Sequence, residues 1–195
     1  MKTVAITGSI GSGKSTVTSY IAERYYTQSC DAINSELIEN SETVREAFSD
    51  CYTDGKLDRK KMAQMIFHDV KAKEKLEGIM HPLILEEIRR NLLDHADDAF
   101  CFVEVPLLFE AGWEAYFDLS LLVVCDEEIL LQRLMEYRHM QKEDALSRLR
   151  SQMSLKEKAE KADHIIFNNG TLDDLYAQIE EFLCILEDNS TIINE

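Results

Sequence analysis

Lys2-Thr3-Val4-Ala5-Ile6-Thr7 runs directly into Gly8-Ser9-Ile10-Gly11-Ser12-Gly13-Lys14-Ser15-Thr16. The first six residues form a short β-branched run that reads as a buried strand. Gly-x-x-x-x-Gly-Lys-Ser follows at once, and then Val17, Ile21 and Ala22 fall at helical spacing. Strand, glycine loop and helix in that order are the context a phosphate-binding P-loop requires. The glycines let the backbone turn tightly and approach a ligand. Successive N–H groups then point into one concavity, and the helix adds the positive end of its dipole. Lys14 is placed to reach β- and γ-phosphates, and Ser15 to offer its hydroxyl to Mg²⁺. The bland alternative is a glycine turn that merely joins strand to helix, and the complete motif in this context weighs against it. A nucleoside triphosphate site is expected, lined by Gly11, Ser12, Gly13, Lys14, Ser15 and Thr16.

Outward from the loop, strand-like and helix-like runs alternate. The first helix is expected over Lys14 to Tyr25, and a second strand over Thr27 to Asp31, ending in Asp31. Asn34 to Glu39 reads as a short helix, and Thr53-Asp54-Gly55 as a turn. Asp58 caps a helix carrying Met62, Met65 and Ile66. A further helix spans Ala72 to Met80 and is interrupted by His81-Pro82, because the residue before proline is pushed out of helical geometry. Another resumes from Pro82 to about His95, with Ile84, Ile88 and Leu92 on one face. Strands return at Phe100 to Val105 and Leu119 to Cys125. Asp126 caps a helix to about Arg138, two charged helices follow, and a last strand covers Asp163 to Phe167. Thr171 to Leu186 is an amphipathic helix.

This alternation predicts an α/β fold, a three-layer doubly wound parallel sheet. Its ligand is expected at the carboxyl ends of the strands. One domain over residues 1–195 is expected, with core segments 1–57, 96–130 and 163–187. An inserted helical lobe takes 58–95, a helical lid 131–162, and a frayed tail 188–195.

Composition narrows the function. The chain of 195 residues carries a formal net charge of −16. A duplex nucleic acid partner is not expected, since such binding rests on basic groups neutralising phosphates. No apolar run is long enough for a membrane span. The first strand begins at the second residue with no signal-peptide pattern ahead of it, so a cytoplasmic location is expected. Five cysteines without a Cys-x-x-Cys argue against a disulfide framework or a zinc site. Between Leu131 and Ala162 the balance inverts. Eight basic residues (Arg133, Arg138, Lys142, Arg148, Arg150, Lys156, Lys158, Lys161) face five acids (Glu136, Glu143, Asp144, Glu157, Glu160). That excess suits either salt-bridged surface helices or a basic lid over phosphates.

Phosphoryl transfer needs positioning and charge neutralisation more than covalent work by the protein. Asp31, at a strand end on the rim of the P-loop, suits hydrogen bonding to an acceptor hydroxyl or the capping of the next helix. Glu104 stands near a strand end in a Walker-B-like position, either helping Ser15 hold Mg²⁺ or simply facing solvent. His81 reads as a helix-break residue or a ligand contact. Among the arginines, Arg138 is favoured for the transferring phosphoryl group, because it ends its helix beside the joint Arg138-His139-Met140-Gln141.

Taken together, separated motifs resemble the dephospho-coenzyme A kinase family. They are Thr7 to Thr16, Asp31-Ala32, Leu57-Asp58-Arg59, His81-Pro82 and Val105-Pro106-Leu107-Leu108-Phe109-Glu110, then Gln132-Arg133-Leu134, Arg138, Arg148, Gln152, Ala162-Asp163 and Asn168-Asn169-Gly170. The match runs to about Ile179. The P-loop alone names a superfamily, whereas His-Pro and Val-Pro-Leu-Leu-Phe-Glu in this order are far more specific. The resemblance implies a P-loop kinase with a substrate lobe and a lid. It implies transfer of the ATP γ-phosphoryl group to the ribose 3′-hydroxyl of dephospho-coenzyme A, with Mg²⁺; separately, a monomer or weak homo-oligomer is expected. It implies catalytic roles for Lys14, Asp31 and Arg138, and adds Asn169 and Gly170 near the adenine. Asp31, His81, Pro82, Leu107 and Glu110 fall on the acceptor side, and Ser15 and Glu104 on the metal side. Two departures stand out. Gly8-Ser9 replaces the family's Gly-Gly, tolerable if Ser9 keeps a negative φ. Asp31-Ala32-Ile33 replaces Asp-Ala-Asp, leaving Asp31 alone. The rival readings are a nucleoside monophosphate kinase and a non-catalytic nucleotide switch. The guanine motif Asn-Lys-x-Asp is missing where Asn168-Asn169-Gly170-Thr171 stands.

Overall fold

The computed structural model describes residues 1–192. The chain divides into two compact units, one of residues 1–28 with 97–195 and one of residues 29–96.

In the first unit, strand β1 (Lys2–Gly8) leads into helix α1 (Lys14–Ile21), and the chain then forms β2 (Tyr26–Ser29). The intervening unit carries α2 (Cys30–Asn40), α3 (Glu42–Ala47), the two-residue strands β3 (Tyr52–Thr53) and β4 (Lys56–Leu57), α4 (Arg59–His68) and α5 (Val70–Leu93). The first unit resumes with β5 (Phe100–Glu104), β6 (Leu119–Val124), α6 (Glu127–Arg138), α7 (Lys142–Arg150), α8 (Leu155–Lys161), β7 (His164–Phe167) and α9 (Leu172–Ile192).

The five-stranded sheet has the order β2-β5-β1-β6-β7. β1 pairs in parallel with β5 (Ile6 opposite Glu104) and with β6 (Gly8 opposite Val123), and β6 pairs in parallel with β7 (Val124 opposite Phe167). The chain therefore leaves β1 toward one side and later the other. This register sets Gly8, Glu104, Val124 and Phe167 along one rim, the carboxyl end where α/β sheets bind ligands. The strands read as continuous apolar runs because both faces are covered. Val4, Ile6, Phe100, Phe102, Leu121, Val123 and Ile166 pack with Val17 and Ile21 of α1 and with Leu175, Ile179, Phe182 and Leu183 of α9. Each such side chain, buried, contributes about 1.5–3 kcal/mol. At the β7 edge, Gln178 both donates to the Phe167 carbonyl (2.8 Å) and accepts from its N–H (2.9 Å), filling one free edge position.

In the helical unit α2, α3 and α4 pack against α5. Asp58 caps α4 as expected, accepting from the Lys61 N–H at 3.0 Å. Asp54 and Gly55 form the expected turn, both with positive φ (50° and 76°), between β3 and β4.

Several expectations are revised. The helical unit begins at residue 29 rather than 58. Helix α3 occupies part of the span between the helix expected to end at Glu39 and the turn at Thr53, with Ser41 accepting from the Val44 N–H at 3.3 Å. His81-Pro82 does not break α5, which runs through Pro82. The reason is burial. Leu76, Met80, Ile84, Ile88 and Leu92 step by four residues and all lie in the interior. One unbroken helix keeps this stripe in register, and that gain outweighs the single hydrogen bond and the ring clash that proline costs. Asp31 does not end a strand but sits in the first turn of α2. Cys30 and Ile33, three apart and buried, draw the chain into helix there. Helix α9 extends past Leu186 to Ile192 because no glycine or proline follows to stop it. Residues 193–195 of the expected tail lie outside the described residues. Among the described residues, no helix is long and apolar enough to cross a membrane.

Candidate active site

The loop between β1 and α1 departs from the sheet in a conformation that only its sequence permits. Gly13, with φ +95°, precedes the first helical residue, and a Cβ there would lie 2.2 Å from Asn168 Nδ2. A Cβ on Gly8 would lie 2.4 Å from the Val123 carbonyl. Both positions exclude a side chain on steric grounds. Ser9 avoids the positive-φ region, the condition on which a serine is tolerated there. The start of α1 presents amide groups that have no partner within the helix.

Lys14 is nearly buried, and its ammonium donates to the Gly8 and Ser9 carbonyls at 2.9 and 3.0 Å. Those bonds hold the charge at the mouth of the loop. One residue further, the Ser15 hydroxyl donates to Glu104 Oε1 at 3.3 Å, and Glu104 is 9% exposed. Hydroxyl and carboxylate oxygens are the hard donors Mg²⁺ takes, and two protein oxygens suffice where phosphates supply others. Among the described residues no group of three His, Cys, Asp or Glu forms a closed metal cage. The Ser15 hydroxyl and the Glu104 carboxylate are the two oxygen donors here that could hold such an ion.

Two braces, neither assigned a role from sequence, hold the loop from distant parts of the chain. Gln152, between α7 and α8, accepts from the Ile10 N–H at 3.1 Å. Asn168, just past β7 and 6% exposed, donates from Nδ2 to the Ser12 carbonyl at 2.8 Å. Arg133 of α6 donates to the Asn168 backbone carbonyl at 3.1 Å and to its Oδ1 at 3.5 Å. Arg133 also reaches Cys125 Sγ at 3.5 Å. Burial pushes the Cys125 thiol up, against a smaller lowering by Arg133, so it serves as a small apolar neighbour rather than a nucleophile. The available signal for Asn168 was its place, an amide directly after the last parallel strand on the ligand rim. Its neighbour Asn169 instead accepts from the Asp126 N–H at 2.9 Å. Gly170 follows in the same connection, where a Cβ would lie 2.6 Å from an Asp174 oxygen.

The arginines of α6 separate. Arg133 is committed to Asn168, while Arg138 is exposed at the end of α6, before His139 with φ 52°. Leu107 is 48% exposed on the connection after β5. Glu110 is engaged within the fold. It pairs with Lys158 of α8 at 2.7 Å and accepts from the Met153 N–H at 3.0 Å. The Lys158 side chain is fully buried. Nearby, Lys161 pairs with Glu114 at 2.8 Å. These contacts fasten α8 to the connection that follows β5.

The remaining expected residues belong to the helical unit. Asp31 lies at the N-terminus of α2, where the helix dipole favours a carboxylate. His81 is half-buried and Pro82 exposed on α5, the helix against which α2 packs.

The family model for dephospho-CoA kinase matches residues 2–174. A curated dephospho-CoA kinase of Fusobacterium nucleatum is 35% identical over 185 residues, covering 92% of this chain and 95% of that protein. A crystal structure of a Thermus thermophilus protein superposes with a TM-score of 0.84 at 33% identity, covering 95% of this chain and 97% of that one. A dephospho-CoA kinase structure from Campylobacter jejuni gives 0.72 at 31% identity, covering 96% and 98%.

Proposed function

The chain belongs to the dephospho-CoA kinase family, and from that premise we propose that it carries the γ-phosphoryl group of ATP to the ribose 3′-hydroxyl of dephospho-coenzyme A. ATP-dependent phosphorylation of dephospho-CoA, a step of coenzyme A biosynthesis, is the activity of this family. The observation that carries the assignment of residues is the convergence of Lys14, the Ser15 hydroxyl and the Glu104 carboxylate at the glycine loop.

The amides from Gly11 through Thr16 cradle the phosphates. Lys14 exchanges its loop carbonyls for β- and γ-oxygens, so its charge meets the triphosphate without crossing bulk water. Ser15 and Glu104 hold Mg²⁺. When bound, that ion offsets charge on the phosphate oxygens. Arg138, exposed at its helix end, turns toward the transferring group, where a guanidinium bonds phosphate bidentately. Asn169 and Gly170 border the adenine. On the acceptor side Asp31 receives the hydroxyl proton as the phosphoryl group arrives, and His81, Pro82 and Leu107 contact the acceptor. The enzyme acts in the cytoplasm as a monomer or weak homo-oligomer. Its net charge of −16 suits neither nucleic acid nor an anionic membrane as partner.

The test is direct. Protein, ATP and Mg²⁺ are incubated with dephospho-coenzyme A, and in parallel with nucleoside monophosphates, and products are identified by mass. Coenzyme A as the principal product is expected. Phosphorylation of the monophosphates with none of dephospho-coenzyme A would overturn the reading.

A further inference from the structure

We propose that Asn168 is a positioning residue that aims one amide of the phosphate cradle, and that Arg133 acts through it. This rests on the reading of the glycine loop as the triphosphate site.

The argument begins with a peptide plane. In a trans peptide the carbonyl and the following N–H point in opposite directions. Asn168 Nδ2 holds the Ser12 carbonyl at 2.8 Å. The Gly13 N–H therefore points to the side of the peptide opposite Asn168, the side we assign to the phosphate. The carboxamide has one workable orientation here, since Nδ2 meets a carbonyl while Oδ1 meets the Arg133 guanidinium. Asn168 is itself fixed, because its N–H donates to the Val124 carbonyl at 2.7 Å and its carbonyl accepts from Arg133 at 3.1 Å. Gly13 completes the fit. Any Cβ there would occupy the Asn168 amide nitrogen. The chain thus spends a buried amide, an arginine from the basic lid segment and a positive-φ glycine on one peptide plane. A donor aimed before the ligand arrives needs no reorganisation when charge develops, which is where such donors are most effective.

The proposal also reassigns Arg133, a candidate phosphate ligand on charge alone. Its guanidinium holds the cradle from behind and touches no phosphate.

The experiment measures Mg·ADP affinity by calorimetry, adenosine inhibition constants, and KM for each substrate. The proteins are wild type, Asn168→Ala, Asn168→Asp, Arg133→Met and the Asn168→Ala/Arg133→Met double variant, each checked for folding by thermal melting. Asn168→Ala should weaken Mg·ADP binding about tenfold, the scale of a lost hydrogen bond with misalignment. Asn168→Asp should lose more, since a carboxylate oxygen then faces the Ser12 carbonyl. Adenosine, which lacks phosphates, should bind all variants alike, and KM for dephospho-coenzyme A should stay within about twofold. Arg133→Met should shift Mg·ADP in the same direction by less, and the double variant should be no worse than Asn168→Ala. Arg133→Met carries the test by itself if Asn168→Ala melts below the assay temperature. Equal Mg·ADP affinity in folded Asn168→Ala, parallel loss of adenosine, or additive losses in the double variant would each overturn the proposal. Wild type that fails to bind Mg·ADP would instead sink the nucleotide-site reading beneath it.

Discussion

Replacing Glu110 with glutamine separates an anchor from a ligand contact. The carboxamide keeps the size of the side chain and still accepts the Met153 N–H, so the change removes one charge. Lys158 then remains a fully buried ammonium 2.7 Å from a neutral amide oxygen, its counter-charge gone. Breaking a buried ion pair by removing one member costs about 3–5 kcal/mol. Glu110 keeps 20% of its side-chain surface in water, so some solvent reaches the orphaned cation and the lower end applies, about 3 kcal/mol. For a chain of this size each kcal/mol lowers Tm by about 2–4 °C. The expected drop is therefore about 6–12 °C, read by circular dichroism or calorimetry. The partner variant makes the assignment strict. Glu110→Gln/Lys158→Met replaces the pair by groups that need no counter-charge, and it should regain most of the lost Tm. An unchanged Tm in Glu110→Gln, with KM for dephospho-coenzyme A raised, would refute the anchor and return Glu110 to the acceptor.

Lys14→Ala should weaken nucleotide binding and lower kcat by about 10²–10³-fold, the range for losing one preorganised donor. Calorimetry with Mg·ADP and steady-state turnover check both, and unchanged activity would mean the loop is not a cradle. Asp31→Asn should leave ATP affinity nearly intact while turnover falls about 10²–10⁴-fold, and near-normal turnover would remove Asp31 from the mechanism. Acid stability has a local contributor. The hydrogen bond from Lys161 holds Glu114 below its ordinary value of 4.5. A depressed folded value means the unfolded chain binds the extra proton, so this stability is present above pH 4.5 and is lost as pH falls through the folded value. Glu114→Gln should accordingly melt with a shallower pH dependence on the acid side of 4.5, and an identical slope to wild type would exclude the contribution.

Much of this architecture was legible in the residues themselves. The β-branched run, the glycine loop and the first amphipathic turn of α1 are consecutive, so a window of about twenty residues contains the phosphate cradle and its cation. Asp58 as a cap and Asp54-Gly55 as a turn were readable for the same reason, because caps and turns are bonds between near neighbours. Pro82 misled because the local rule is a propensity. Four buried turns of α5 overrode it, and only packing partners reveal that a stripe is buried. Asp31 misled similarly, as a short run before a helix reads equally well as strand or first turn.

Sequence thus determined the chemistry available to this protein: a phosphate-binding loop, a carboxylate one strand away, and a basic segment in an acidic chain. Tertiary structure decided how those groups are held. Gln152 meets Ile10 across 142 residues, and Asn168 meets Ser12 across 156. Glu110 is drawn to Lys158 and Arg133 is withdrawn behind the loop. A side-chain amide or a charge carries no periodicity that announces its partner. The parallel register of β1, β6 and β7 creates those neighbours by bringing distant strand ends to one rim.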